Sequence, residues 1–125
     1  MTIDVALSPA PRVSVIIPAT ASFDLLLATL RSLSLHGPQH IPFETIVVLN
    51  ESVAAEESRL KESVTGIHVI VSTVNLGLAG AGNRGRSIAK GELLILLHDD
   101  AEIEPGWMEA LVQATDRVPH VGAHK

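Results

Sequence analysis

The pattern of apolar and polar residues changes period repeatedly along the chain. Four short apolar runs predict strands, and helices are predicted between and after them, the first from leucines at helical spacing and the second from a charged, alanine-rich segment. The predicted strands cover 12–19, 42–50, 67–72 and 92–98, and the predicted helices cover 21–37, 52–66, 75–91 and 104–118. We expect Ser22 to cap the first helix and Gly37 to end it. This alternation predicts an α/β fold, with a mostly parallel sheet and helices on both faces.

The composition narrows the class of protein. A chain of 125 residues, 46% of them hydrophobic, is long enough for one domain with a core. The net charge of −5 argues against a nucleic-acid partner, and the absence of cysteine excludes disulfides and zinc thiolates. No apolar run approaches the roughly 20 residues of a membrane helix, and the first residues lack the apolar core of a secretory signal. We therefore expect a cytoplasmic protein with a loose lead-in over residues 1–11.

The last predicted strand ends on charged residues, in the stretch LLILLHDDAEIEPGW (94–108). In one interpretation, Asp99 or Asp100 caps the following helix from a solvated loop. In the other, the two carboxylates hold a hard cation, since Mg²⁺ and Mn²⁺ prefer oxygen ligands. Such an ion would neutralise a diphosphate leaving group.

A glycine run, Gly80-Ala81-Gly82-Asn83-Arg84-Gly85, matches the pattern GxGxxG. A dinucleotide fingerprint needs these glycines directly after the first strand, whereas here they follow the third strand at a distance. The small residues could instead let a helix pack closely on the sheet. A third interpretation brings the backbone near a phosphate, with Arg84 or Arg86 supplying charge.

Ligands of open parallel sheets bind outside the carboxyl ends of the strands. The predicted elements bring four segments to that edge: 18–21, 49–52, 73–77 and 98–102. The acidic residues of the last strand therefore share an edge with the segments that follow the other three strands.

Several linked motifs at this edge resemble one known family. The segments VSVIIPA, FETIVVLNES and NLGLAGAGNRGRSIAKGELLILLHDDAEIEPGWMEALV are similar to the N-terminal half of the family-2 glycosyltransferases of the GT-A fold, from Arg12 to Gly122. The resemblance implies a Rossmann-like sheet of strand order 3-2-1-4, with 12–125 as the nucleotide-sugar-binding half of a GT-A-like domain. It implies transfer of a sugar from a nucleoside-diphosphate sugar to an acceptor (glycan, lipid or protein), with Mg²⁺ or Mn²⁺ as cofactor. The family's acceptor-binding half carries the catalytic base, so we expect no catalytic residue in this chain and no activity from it alone.

The resemblance also implies particular site residues. Asp100, helped by Asp99, occupies the acidic DXD-type motif and would bind the metal. The residues expected to contact the nucleotide sugar are Pro18, Ala19, Thr20, Asn50, Asn75, Gly77, Asn83 and Asp99. The chain departs from the family pattern at three places. After the second strand the family usually has Asp-Asp-Gly-Ser or Asp-Asn-Gly-Ser, and this chain has Leu49-Asn50-Glu51-Ser52, so Leu49 stands where the family has an acid that contacts the base. Gly82 stands where the family commonly has an Arg before the Asn, and His98 replaces the first Asp of the DXD-type motif.

Two other functions stay open, and one prediction concerns assembly. The chain could be a non-catalytic module that binds a nucleotide sugar, or a dinucleotide-binding Rossmann domain that uses the glycine run. The fourth predicted strand, 92–98, is apolar, and has no Pro or Lys inside it. If it lies at an open edge, unpaired backbone beside aliphatic surface favours pairing with another chain. We therefore expect a homodimer formed through this strand.

Overall fold

Strands and helices alternate along the residues that the computed structural model describes, which are 2–19, 22–38, 40–51 and 54–117. In chain order the elements are β1 (Ile3–Asp4), β2 (Val13–Ala19), α1 (Phe23–His36), β3 (Phe43–Leu49), α2 (Ala54–Ser63), β4 (Val64–Thr65), β5 (His68–Val71), α3 (Gly77–Ile88), β6 (Leu93–Leu96) and α4 (Trp107–Arg117). The four predicted strands and four predicted helices all form, with ends that differ by a few residues.

The main sheet contains four parallel strands in the order β5-β3-β2-β6. This is the 3-2-1-4 order expected of the four predicted strands. The central strands β2 and β3 pair over seven residues, from Val13↔Phe43 to Ala19↔Leu49, and every residue of both is buried. The outer strand β6 pairs with β2 over four residues and is only half-buried. Among the described residues, β6 therefore forms one edge of the sheet.

Helices cover both faces of this sheet, as predicted. One face packs against α1 and α4 in the larger core cluster, whose members include Val13, Val15, Ile17, Leu26, Leu30, Leu33 and Met108. The other face packs against α3 in a smaller cluster of Ile16, Ile46, Val48 and Ala81. A Cβ added at Gly85 would lie only 2.5 Å from Ile16 Cγ2. The small residues of α3 thus allow the helix to approach the strands closely.

The N-terminal segment is anchored, in contrast to the loose lead-in expected for residues 1–11. Its strand β1 pairs with β4 in a separate parallel sheet, and the backbone N–H of Val5 donates to the carbonyl of Thr65 at 3.0 Å. Ile3 and Val5 are buried in the larger core cluster because their alternation with Asp4 places both on one face. Gly66 makes this contact possible: its φ is +82°, and a Cβ there would lie 1.8 Å from the Val5 carbonyl oxygen.

Capping and turn residues determine where the first and last helices begin or end. The hydroxyl of Ser22 accepts a hydrogen bond from the Leu25 N–H at 3.2 Å, and Gly37 is the C-cap of α1, which confirms both predicted ends. The last helix begins at Trp107, three residues later than predicted, because Pro105 and Gly106 form a turn before it. None of the helices in the described part of the chain is long and apolar enough to cross a membrane.

A buried carboxylate connects the strands near their amino ends. Glu44, on β3, accepts hydrogen bonds at Oε2 from the Ser14 hydroxyl (2.6 Å) and the Lys90 backbone N–H (2.7 Å). Its Oε1 lies 3.3 Å from Nε2 of His68, and the Ser14 hydroxyl accepts from the Gly91 N–H at 2.8 Å. One side chain that is 1% exposed therefore joins β2, β3, β5 and the segment before β6.

We predict that Glu44→Leu lowers the free energy of unfolding by about 3 kcal/mol or more. The substitution leaves the buried Ser14 hydroxyl and the part-buried Lys90 N–H without their acceptor, and a buried group left in this way costs about 1–3 kcal/mol. Chemical denaturation would measure the change. Glu62→Leu, at an exposed position of α2, is the matched control and should shift stability by less than about 0.5 kcal/mol. Equal losses in the two variants would contradict the role of Glu44.

Candidate functional site

The carboxyl ends of the strands bring the predicted site segments to one edge of the sheet. Asn50 follows β3, Asn75 follows β5, and the acidic loop, which we define as 98–104, follows β6. The chain runs from β2 to β3 on one side and returns to β6 on the other, so the strand order reverses between β2 and β6. Ligands of open α/β sheets bind at such a reversal. The acidic loop begins at this point.

Two asparagines join the end of β3 to the start of α3. The Asn50 side chain donates from Nδ2 to Asn75 Oδ1 at 3.1 Å, and its Oδ1 accepts from the Leu76 N–H at 2.8 Å. Asn75 Oδ1 also accepts from the Gly77 N–H at 2.8 Å. These two residues, which the resemblance assigns to nucleotide-sugar binding, thus hydrogen-bond to each other and to the first turn of α3. They shape the edge of the sheet, and a direct contact with the nucleotide stays a prediction.

Neither Asp99 nor Asp100 of the acidic loop caps α4. Asp99 is buried, Asp100 is exposed, and the Ala101 N–H donates to the His98 carbonyl in a turn around them. Because α4 begins seven residues after Asp100, the capping interpretation of the two aspartates is wrong. The loop is instead bound to α1, through hydroxyl groups of Thr29 and Ser32.

The acidic loop fits a cation only with further ligands from a substrate. Within the described ranges, no group of three or more His, Asp or Glu side chains could hold a metal ion. Asp99 is 6% exposed and interacts with neighbouring groups, which leaves Asp100 as the exposed carboxylate of the pair. Mg²⁺ typically binds one or two carboxylates and completes its shell with water and substrate phosphates. The described residues therefore form no metal site by themselves, and binding of a cation at Asp100 together with a diphosphate stays a prediction.

The other predicted contacts are spread over the carboxyl edge of the sheet and along α3. Pro18 and Ala19 end β2 and are buried, whereas Thr20 lies outside the described residues. Gly77 begins α3 with a φ of +71°. Asn83 lies six residues into α3, exposed beside the groove that this helix forms with β6. Their contacts with a nucleotide sugar stay predictions.

The glycine run lies inside α3, not in a turn before it. A dinucleotide fingerprint requires a glycine-rich turn between strand and helix, so the dinucleotide interpretation does not fit this structure. The interpretation in which the glycine run contacts a phosphate needs the same kind of turn, and residues 80–85 do not form one. Gly85 meets Ile16, and a Cβ at Gly82 would lie 3.4 Å from Leu96 Cδ1. The packing interpretation therefore fits best.

Glu51 has an unusual backbone conformation beside the asparagine pair. Its φ is +56°, and it is the only residue other than glycine with a positive φ in the described part of the chain. The left-handed region costs a residue with a side chain about 1–2 kcal/mol. The motifs Asp-Asp-Gly-Ser and Asp-Asn-Gly-Ser of the family that the sequence resembles place glycine at this position. The backbone after β3 therefore keeps a conformation that suits glycine.

The fold and the residues at the carboxyl ends of the strands together define a class of protein. It is an α/β domain of parallel strands with an acidic loop at the reversal of strand order. The chain belongs to the glycosyl transferase family 2, whose family model matches residues 14–124. The family expected from the sequence motifs is thus confirmed.

Known proteins resemble the chain over most of its length. The O-antigen biosynthesis protein RfbC of Myxococcus xanthus is 33% identical over 116 residues, which are 90% of this chain and 9% of that protein. The mannosyltransferase PcManGT from Pyrobaculum calidifontis, solved in complex with GDP-Man and Mn²⁺, is 26% identical with a TM-score of 0.69. That alignment covers 94% of this chain and 36% of the mannosyltransferase chain.

A second solved structure supports the fold alone. TarS 1–349 of S. aureus has a TM-score of 0.67 at 20% identity, over 85% of this chain and 32% of that one. The chain thus spans about a third of the solved structures it matches and less than a tenth of RfbC.

We predict that Glu51→Gly raises the free energy of unfolding by about 0.5–1 kcal/mol. Glycine removes the penalty of the left-handed conformation, although part of the gain is lost to the greater freedom of the unfolded chain. Thermal or chemical unfolding would measure the difference. Glu51→Ala, the control, removes the same carboxylate and keeps a Cβ, so it should bring no such gain. If alanine stabilised the protein as much as glycine, backbone strain could not be the cause.

Proposed function

We propose that this chain is the nucleotide-sugar-binding part of a glycosyltransferase. The parent enzyme would transfer a sugar from a nucleoside-diphosphate donor to an acceptor. The observation that carries this proposal is the acidic loop, which lies at the reversal of strand order in a chain of glycosyl transferase family 2. The complex of the related mannosyltransferase with GDP-Man and Mn²⁺ supports a donor of this class and a divalent cation.

The donor would lie across the carboxyl edge of the sheet. Its diphosphate would face the acidic loop, where Asp100, helped by Asp99, would bind Mg²⁺ or Mn²⁺. That ion would neutralise the charge that develops as the bond to the diphosphate breaks. At the β3 end of the edge, Leu49 is 4% exposed. It can offer neither an acceptor nor an exposed surface to the base, so we propose that other groups of this edge recognise it.

A non-catalytic binding module is the second candidate. It is favoured by Leu49, which replaces the acid expected near the base, and by the asparagine pair, whose polar atoms bind within the protein. Such a module would bind the donor without turnover, also when it is part of the longer parent chain. Sugar transfer by the parent protein would exclude it.

We predict that the 125-residue chain binds a nucleoside-diphosphate sugar in a way that depends on Mn²⁺ and Asp100. Calorimetry with GDP-mannose, UDP-glucose and dTDP-glucose, each with and without Mn²⁺, would test this, with NAD for comparison. Asp100→Asn should weaken the binding of the tightest-binding donor about tenfold or more, which corresponds to about 1.4 kcal/mol of binding free energy. Glu102→Gln, on the same loop and also exposed, is the matched control and should bind as the wild type does. Tight binding of NAD, or an unchanged Asp100→Asn variant, would contradict the proposal.

We also propose that the chain forms a homodimer through β6. Among the described strands, β6 pairs only with β2, and its other side is open. Leu96 at its end is 52% exposed and lies with Leu94 and Leu78 along a groove of about 290 Å³ between β6 and α3. Open strand edges beside aliphatic surface pair readily with other chains. A second copy could place its β6 against this one about a two-fold axis.

Light scattering at micromolar concentration would test the dimer. The wild type should have twice the monomer mass, and Leu96→Lys should shift it towards the monomer, because a charge at an edge disfavours strand pairing. Leu35→Lys is the control: this leucine is 71% exposed on α1, away from β6. A monomeric wild type, or equal effects of the two lysines, would rule out pairing through β6.

A further inference from the structure

Two hydroxyl groups of α1 bind the backbone of the acidic loop. Thr29 Oγ1 donates to the carbonyl oxygen of Asp99 at 2.7 Å and lies 3.3 Å from that of Ala101. One helical turn later, Ser32 Oγ donates to the carbonyl oxygen of Ile103 at 3.0 Å. Alternate carbonyls along the loop are thus bound to α1. The two on either side of Asp100 share a single hydroxyl, that of Thr29.

These hydroxyls differ from those of Ser63 and Thr115, in α2 and α4. Serine and threonine inside a helix often donate to the carbonyl four residues earlier in the same helix. Ser63 and Thr115 do so here. Thr29 is 2% exposed and donates across to another segment. A buried hydroxyl without a partner would be costly, so the helix and the loop are bound to each other at this point.

Side-chain packing does little to hold the exposed part of the loop. A cavity of about 370 Å³ lies beside these hydrogen bonds, between α1 and the loop. Thr29 and Ser32 line it on the helix side, and Asp100 and Glu102 line it on the loop side. The next firm apolar contact along the loop is Ile103, which is buried in the larger core cluster. Between these points, the hydroxyls of α1 and the turn bond from the Ala101 N–H to the His98 carbonyl hold the backbone of the loop.

We infer that Thr29 is a positioning residue for Asp100, one that fixes the direction in which this carboxylate meets a cation and a diphosphate. The inference rests on the proposed function. A site of this kind needs its ligand held within about 0.5 Å. Residues that orient a ligand typically change metal affinity by about 10- to 100-fold when they are altered. Thr29 would act through the backbone, without touching the ion.

The test compares two substitutions at one position. Thr29→Val keeps the shape of the side chain and removes the hydroxyl, whereas Thr29→Ser keeps the hydroxyl. The 125-residue chain is titrated by calorimetry with Mn²⁺ in the presence of whichever of GDP-mannose, UDP-glucose and dTDP-glucose the wild type binds best. We expect about tenfold weaker binding for Thr29→Val and a change of less than about threefold for Thr29→Ser. Thr115→Val, which removes a hydroxyl that bonds within its own helix, should bind as the wild type does.

Stability, measured on the same samples, separates positioning from folding. If Thr29→Val unfolds more easily but binds Mn²⁺ and donor as tightly as the wild type, the inference is overturned. Should Thr29→Val fail to fold, Thr29→Ala removes the same hydroxyl and provides the test, where weaker binding supports the inference and unchanged binding overturns it. If the folded wild type binds no donor with Mn²⁺, the proposed function itself is wrong, and the inference is overturned with it. Normal wild-type binding with an unaffected Thr29→Val would overturn the inference alone.

Discussion

A carboxylate inside an apolar sheet is stable only while its oxygens are hydrogen bonded, and Glu44 meets this condition with donors from distant parts of the chain. Its partners come from β2, from the segment between α3 and β6, and from β5 through His68. Backbone hydrogen bonds alone would tie each strand only to its neighbours. The Glu44 carboxylate also binds the segment between α3 and β6, through the Lys90 N–H. It thereby helps to fix the start of β6 against the centre of the sheet.

The position of β6 determines where the acidic loop lies. The strand pairs with β2 from Leu93 to Leu96, and the chain then passes into the turn at His98. On the opposite side, α1 begins just beyond the carboxyl end of β2 and runs beside the loop. The loop is therefore bounded by a strand that is fixed at its amino end and by a helix that starts at the same edge of the sheet. Two separate parts of the core thus determine where Asp100 lies.

Much of the fold could be predicted from local patterns, because each main strand and helix carries its own periodicity and its own end signals. Ser22 and Gly37 are such signals, and both act as expected. The short sheet of β1 and β4 was missed because two-residue strands have no period of their own. Its only trace in the sequence is the alternation of Ile3 and Val5 with Asp4. The role of Glu44 was missed for a related reason, since one acid in an apolar strand does not reveal its partners.

The candidate site could be located from sequence, but its contacts could not. The order of the elements places the asparagines and the acidic residues at one edge, and the structure agrees. That Asn50 and Asn75 bind each other, and that Thr29 binds the loop, depends on contacts between segments far apart in the chain. One local signal was available for the second contact. Thr29 and Ser32 are hydroxyl residues three apart on a helix whose other inward positions are leucines.

The contacts of Glu44 and the candidate site lie at opposite ends of the same strands, and this separation has an evolutionary consequence. Substitutions at the carboxyl edge, such as Leu49 in place of an acid, leave the hydrogen bonds of Glu44 at the amino edge intact. A lineage could therefore exchange one ligand preference for another while the stability of the domain changed little.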